Sequence, residues 1–357
     1  MFDRSVKEDN SKSDLIELTV SLDRWLLGGV CQSDTGAICA WVEYPERAKA
    51  FDYPEISGYW LTYACGRALC DDGTRRRVRH VVQWLQTRIS AGNLAGRAHG
   101  AVFHFDLAMI ATGLFWAALR LPGELDESLP LKIVDLLVNE ILRNSRLPAL
   151  NEAYSRETSC SAWAVEGSAH LLKVLQCLLL GHEHGHGRCL EAAHKLYGSL
   201  MTLQRTNGSF VTHQDVHTTF LHPHLYAAEG AWIWGAYWGD GDALWRSQIA
   251  LDWVWAHQLP SGGFPRMWNE EATNAAPVEQ SDVLAQAVRL AQIHRRHYPG
   301  LQKALTRIRD VCIVQESARA LVYQPDSLAK HQNTWATLFS AQALELSGNA
   351  LRWSELI

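Results

Sequence analysis

The amino-acid sequence predicts an all-α fold in which six pairs of helices repeat along the chain and close into a ring. Two observations carry that prediction. Gln32-Ser-Asp-Thr-Gly36-Ala-Ile38, Gln204-Arg-Thr-Asn-Gly208-Ser-Phe210 and Gln258-Leu-Pro-Ser-Gly262-Gly-Phe264 share the spelling Gln-x-x-x-Gly-x-apolar. With Gln86 and Gln315 taken as further helix stops, 54 residues separate Gln32 from Gln86 and Gln204 from Gln258, 57 separate Gln258 from Gln315, and 118 lie between Gln86 and Gln204. A period of about 55 residues marks a repeat protein whose units must stack their apolar faces on neighbours. The second observation is that two kinds of helix alternate.

One kind is amphipathic: Leu15 to Leu27, Val78 to Ile89, Leu131 to Leu142, Leu190 to Leu203, Ala243 to His257 and Leu301 to Val314. In the second of these Val78, Val81, Val82, Leu85 and Ile89 fall on one face, as in a helix with its other face in water. The other kind is apolar on nearly every side: Ile56 to Leu69, Asp106 to Leu121, Ser161 to Leu180, Leu225 to Trp238, Gln280 to His297 and Thr334 to Leu346. A helix that is hydrophobic all round is buried all round, so these form an inner set and the others an outer set. Gly113, Gly167, Gly230 and Gly235 inside the inner set each cost about 1 kcal/mol against alanine, which is tolerated where backbones approach closely. The third stop, near Asn144, lacks the glutamine spelling.

Connections from outer to inner helix are long, as from Gln32 to Glu55 and from Gln258 to Glu279, while returns such as Gly239 to Asp242 are short. All the long loops therefore lead to inner-helix N-termini on one rim, where functional residues concentrate. Residues 1–14, polar and rich in charge, read as a flexible segment, and 15–357 as a single domain.

At 357 residues, 47% hydrophobic and 20% charged, the chain is long enough for a substantial core. A net charge of -5 gives no electrostatic reason to expect nucleic acid or an anionic membrane as partner. Met1 to Ser13 lacks the apolar stretch of a signal peptide, and no uninterrupted apolar run is long enough to insert in a membrane. The 8 cysteines are scattered without paired spacing, as in reduced core thiols, and the cytoplasm is the expected compartment. Oligomeric state is not legible in the sequence.

The paired helices and their glutamine stops resemble the (α/α)6 toroid, the fold of terpenoid cyclases, protein prenyltransferase β-subunits and many sugar-acting enzymes. Tyr53-Pro-Glu-Ile-Ser-Gly-Tyr59-Trp60, Phe105-Asp106-Leu-Ala-Met-Ile-Ala-Thr-Gly113-Leu114 and Asn333-Thr-Trp335-Ala-Thr-Leu-Phe339 are similar to toroid proteins encoded with bacterial exopolysaccharide biosynthesis genes. Motifs of other toroid families are missing. There is no Asp-x-Asp-Asp for substrate protonation, Asp71-Asp72-Gly-Thr-Arg75 fails the Asp-Asp-x-x-Asp magnesium pattern at its last position, and no Cys-His dipeptide offers the lanthipeptide-cyclase zinc site.

The rim selects polar residues at or just before each inner helix. The most distinctive run is His222-Pro-His224-Leu-Tyr226-Ala-Ala-Glu229. Pro223 is expected to keep His222 out of the helix and fix its direction; Tyr226 and Glu229 share a helical face, and Glu229 stands nearly alone in an apolar helix, so it needs a partner or a proton. His222, His224 and Glu229 are the expected acid–base groups, with Asp106 and His331 opposite. Glu55, Trp60, His104, Trp163, Tyr226, Trp268, Gln280, Asp282, Asn333 and Trp335 are the expected substrate contacts. Asp106, Asp282 and Asn333 also sit where helix caps or first-turn acids belong, and Glu229 also fits a structural anchor. The Trp residues, 15 in all, divide between core packing and a platform for sugar faces or carbocations. The loop His182-Glu-His184-Gly-His186 lies on a short return, away from the rim and poorly preorganised for a metal. No cofactor or metal is expected.

The expected activity is therefore acid–base chemistry on a sugar, sugar nucleotide or oligosaccharide: epimerisation, isomerisation or lyase elimination, and less readily hydrolysis, because histidine rather than a carboxylate pair dominates. The competing expectations are a cyclase-like or isoprenoid-binding toroid and a non-catalytic glycan-binding protein.

Overall fold

A computed structural model describes residues 3–67, 71–94, 100–152, 155, 168–215, 217–271, 277–346 and 350–357, with the backbone alone for 3–12. Among these residues twelve α-helices alternate between two layers. The inner helices are α2 (Pro54–Gly66), α4 (His104–Arg120), α6 (Leu175–Glu183, preceded by a 3-10 turn at Ala169–Val174), α8 (Leu221–Trp238), α10 (Ser281–Ile293) and α12 (Thr334–Glu345). The outer ones are α1 (Asp3–Leu27), α3 (Asp72–Ser90), α5 (Ser128–Arg143), α7 (Cys189–Met201), α9 (Gly241–Trp255) and α11 (Leu301–Asp310). Helix α1 extends back through the polar segment that precedes Leu15.

Burial follows the two sequence patterns. Every residue of α2 from Pro54 to Cys65 is buried, whereas α3 buries Thr74, Val78, Val81, Val82 and Leu85 along one stripe. The inner helices touch in sequence, α2 on α4, α4 on α6, and so on to α12, which returns to α2. The ring is thus closed. Close approach explains two of the glycines: a Cβ on Gly113 would lie 2.3 Å from the Gly58 carbonyl oxygen, and one on Gly230 would lie 2.4 Å from the Leu172 backbone. Gly235 faces Leu244 of α9 in the same way, and Gly167 lies outside the described residues.

The short returns make inner-to-outer hairpins, α2 with α3 through α10 with α11. The sixth pair joins the first helix to the last, because α1 packs on α12. Strand β1 (Trp41–Tyr44) pairs antiparallel with β6 (Lys330–Asn333), Trp41 opposite Asn333, and seals the same seam. Thr334 Oγ1 donates to the Cys39 carbonyl at 2.8 Å and Trp25 Nε1 to Gln332 Oε1 at 3.3 Å across it. Two further antiparallel pairs decorate the loops: β2 (Thr218–Phe220) with β3 (Met267–Asn269), and β4 (Cys312–Gln315) with β5 (Ala318–Leu321).

The three glutamine stops have one geometry. Gln32 Nε2 donates to the Gly36 carbonyl at 2.8 Å and to that of Arg77, in α3, at 3.1 Å. Gln204 joins Gly208 (3.3 Å) to Arg246 in α9 (2.9 Å), and Gln258 joins Gly262 (2.9 Å) to Gly300 at the start of α11 (3.1 Å). Each glycine has φ between 92° and 96°. Each also lies against the next outer helix, where a Cβ on Gly208 would sit 2.5 Å from the Ile249 carbonyl oxygen. The motif is a staple between successive outer helices. Gln86 and Gln315 do not belong to it: Gln86 lies inside α3 and Gln315 in β4, so their spacing is not part of the repeat. Near Asn144 the side chain amide instead closes its own helix, donating to the Glu140 carbonyl at 2.8 Å.

No helix among the described residues is long and apolar enough to cross a membrane. The described cysteines are free thiols, all buried except the half-buried Cys312.

Candidate functional site

All the long loops end at one rim of the ring, and inner helices from around the circle converge beneath it. Tyr59 of α2, Phe105 of α4, His170 of the turn before α6, His222 and Tyr226 of α8 and Phe339 of α12 form a continuous aromatic cluster. Tyr226 meets Phe105 at 4.8 Å between ring centroids and His222 at 4.5 Å, Phe105 meets His170 at 5.5 Å, and Tyr59 meets Phe339 at 5.7 Å. Tyr59 and Tyr226 lie parallel at 6.5 Å, and neither hydroxyl makes a hydrogen bond of normal geometry among the described residues. Burial, with the nearby charge of Glu55, pushes both phenols well above their ordinary range, so both hydroxyls keep their protons.

Two carboxylates stand at the rim beside this cluster, each placed there by the first turn of an inner helix. Tyr53, extended immediately before Pro54 opens α2, donates its hydroxyl to Asp106 Oδ2 at 3.0 Å. Glu55 receives Trp335 Nε1, at 3.0 and 3.1 Å from its two oxygens, across the α2–α12 junction. Both acids are buried, and helix N-termini favour negative charge at these positions. Asn333 caps α12 by accepting from the Ala336 amide at 2.9 Å, and Gln280 donates to the Tyr323 hydroxyl at 2.8 Å.

His222 lies inside the first turn of α8, where Pro223 is accommodated, and not ahead of the helix as expected; it is held from α10. Its Nδ1 lies 2.7 Å from Gln286 Oε1 and 3.6 Å from Asp282 Oδ2. Burial raises the Asp282 carboxyl above its ordinary range, against the lowering effect of His222. Gln286 in turn donates its Nε2 to Glu229 Oε1 at 3.2 Å. Glu229 lies one layer deeper, fully buried between Lys173 Nζ at 3.0 Å and the Arg289 guanidinium, both also fully buried. Burial opposes its charge, but Arg289 and Lys173 outweigh burial and hold the carboxyl below the usual range. Burial likewise brings Lys173 down to about 8, with Glu229 acting against it. Below this layer the segment 351–357 fills the ring: Lys173 reaches the Leu356 and Ile357 carbonyls at 3.3 Å, and Gln176 reaches that of Leu356 at 2.7 Å.

No protein-family model and no curated protein matches the chain. Solved structures do. An unsaturated glucuronyl hydrolase from Bacillus sp. GL1, responsible for glycosaminoglycan degradation, superposes with a TM-score of 0.70 over 96% of this chain and 98% of its own, at 13% identity. A sugar epimerase from a ruminal bacterium matches with a TM-score of 0.70 at 12% identity, covering 96% of this chain and 100% of that one. For D-mannose isomerase the TM-score is 0.70 at 10% identity, over 94% and 96%. The chain is an (α/α)6 toroid.

Several residues expected at the rim of the toroid have structural duties instead. His224 is fully buried, its Nδ1 accepting from the Phe210 amide at 3.0 Å and its Nε2 donating to the Ala250 carbonyl at 2.9 Å. With both nitrogens spent on backbone, and burial bringing it down to about 4, it ties the loop after Gln204 to α9. His104 is used similarly, spanning the Pro148 carbonyl (2.8 Å) and the Asn151 side-chain amide nitrogen (3.1 Å). Glu229, saturated by cations, is an anchor beneath the site. Trp60 is wholly buried and donates to the Leu26 carbonyl at 2.9 Å, joining α2 to α1. Trp268 is exposed in β3, its ring on His257 at 4.3 Å. His331 lies in β6 against Trp41 (4.9 Å) and Tyr323 (5.6 Å), with its Nδ1 unpartnered among the described residues and burial lowering its basicity. Trp163 lies outside the described residues. On the short return, His184 bonds the Leu180 carbonyl at 2.8 Å and His186 approaches Asp135 at 3.4 Å.

His170, Lys173, Gln286 and Arg289 were not among the expected site residues. Lys173 and Arg289 carry a signal that was available: each is a cation inside an apolar inner helix, the complement that an isolated Glu229 requires. His170 and Gln286 carry none, since a histidine or glutamine in such a helix has many uses.

Proposed function

We propose that this toroid is a carbohydrate-active enzyme working by side-chain acid–base chemistry, and that it is an epimerase or isomerase. The observation that carries the reading is His222, held at the rim by Gln286 and Asp282 beside an aromatic cluster and two buried carboxylates. An imidazole is suited to removing and returning a proton at a carbon next to a carbonyl near neutral pH. Glu55, Asp106 and the Tyr59 and Tyr226 hydroxyls supply acceptors and donors for sugar hydroxyl groups, and the aromatic rings supply faces for its C–H surface. The sugar epimerase and the mannose isomerase that share the fold lend this reading support.

Hydrolysis is the second reading, and one observation favours it: Asp106 and Glu55 give the rim two carboxylates, the equipment of a glycosidase. Their hydrogen bonds from Tyr53 and Trp335, together with the polar setting, weigh against an isoprenoid ligand, which calls for a dry cavity.

One experiment separates the two. Aldoses, ketoses and oligosaccharides are incubated with the protein in D2O and followed by NMR. Deuterium at a sugar carbon, lost in His222→Ala, supports epimerisation or isomerisation. New reducing ends without carbon-bound deuterium replace that reading with hydrolysis, and no change in any sugar removes both.

A further inference from the structure

We infer that Gln286 and Glu229 are positioning residues that fix the tautomer of His222, placing its hydrogen on Nδ1 and leaving Nε2 as the proton acceptor. The inference deepens the acid–base reading of His222 and rests on it for its catalytic meaning. Its structural content stands independently.

The logic is one of donors and acceptors. A carboxylate only accepts, and Glu229 is kept ionised by Lys173 and Arg289. The end of the Gln286 side chain that faces Glu229, at 3.2 Å, must therefore be the NH2 group. The amide cannot flip without setting its oxygen against the carboxylate. Its Oε1 is consequently turned to His222, 2.7 Å from Nδ1. An amide oxygen also only accepts, so Nδ1 carries the hydrogen and, in the neutral ring, Nε2 carries the lone pair. Asp282, 3.6 Å from Nδ1, is too far for a hydrogen bond and leaves Gln286 as the acceptor that orients this nitrogen.

The chain of constraint ends in rigid material. Arg289 lies over the Phe339 ring at 4.3 Å and reaches Gln342 at 3.4 Å, so the cation that holds Glu229 is itself held. Glu229 thus has a use beyond charge balance: it sets the direction of a hydrogen bond one layer above it. An apolar residue at 229 would leave Gln286 free to present either end, and His222 free to adopt either tautomer.

The test reads the tautomer directly and requires no substrate. Long-range ¹H–¹⁵N correlation spectra of the ¹⁵N-labelled full chain, at a pH where the ring is neutral, distinguish the two forms, and the His222 signals are those lost in His222→Phe. The expected result is the Nδ1–H form in the wild type, with a mixture or the Nε2–H form in Gln286→Leu. A wild-type Nε2–H signal overturns the proposal whether or not any variant folds, and an unchanged Nδ1–H signal in a folded Gln286→Leu overturns the role of Gln286. On any sugar found to be turned over, Gln286→Leu lowers kcat by about 10²-fold or more with KM little changed. A confirmed tautomer together with full activity in His222→Ala would instead refute the catalytic reading of His222.

Discussion

His222 and His224 flank one proline and have opposite surroundings. His222, on α8, is held by the Gln286 side chain of α10, while His224 spends both nitrogens on the backbone. Replacing His222 with alanine is expected to reduce turnover by about 10²- to 10⁴-fold with unfolding by urea unchanged. His224→Ala should do the reverse, retaining turnover per folded molecule and costing about 1–3 kcal/mol in urea denaturation, because the Phe210 amide and Ala250 carbonyl lose their partner in the interior. The sequence alone presents the two histidines as equals, since the deciding atoms belong to residues 210 and 250 in other elements. Glu229 illustrates the complementary case. Its isolation in an apolar helix was legible and did require cations, and both are on neighbouring inner elements. Glu229→Ala, which leaves Lys173 and Arg289 buried without a counter-charge, is expected to destabilise by about 3–5 kcal/mol in the same measurement.

At the scale of elements, alternating amphipathic and wholly apolar helices translated directly into outer and inner layers, because burial on one side or on all sides is written in composition. The glutamine motif was legible as a pattern but not as a device. Its second acceptor lies 42 to 45 residues further on, in the next outer helix, and no local reading reaches that far. The true staples and the coincidental spacing separate by experiment. Gln204→Leu removes the two half-buried hydrogen bonds that its Nε2 donates, and the long one its Oε1 accepts from Arg246, and should cost about 1–3 kcal/mol, while Gln86→Ala, inside α3, should stay within about 0.5 kcal/mol of wild type. Gly208→Ala should cost at least as much as Gln204→Leu, since it combines a left-handed backbone with a 2.5 Å approach to the Ile249 carbonyl; urea midpoints of the three variants test the order.

For the whole molecule, the buried histidines make the toroid sensitive to acid. Burial lowers His170 to about 3 and His224 to about 4, from an unfolded value of 6.5. Between those values and 6.5 the unfolded chain binds protons that the folded one refuses, so stability is complete above pH 6.5 and falls as pH drops toward 4. Each site contributes on the order of 3 kcal/mol to that loss. Urea midpoints measured across this interval should fall steeply, and less steeply in His224→Gln.

The seam that joins α1 and β1 to α12 and β6 also bears on how the ring folds. The face of α1 that carries Leu18, Leu22, Trp25 and Leu26 is buried. It rests on α12 and on β5, and β1 pairs with β6, so an early part of the ring takes much of its cover from elements far along the sequence; 295 residues separate Cys39 from Thr334 across the seam. Such end-to-end contacts raise the contact order and slow folding, because the longest loop must close before the earliest element is covered. Chains cut short before residue 330 lack β6 and α12, so α1 loses part of its cover and the ring cannot close, which makes them targets for chaperones and proteases.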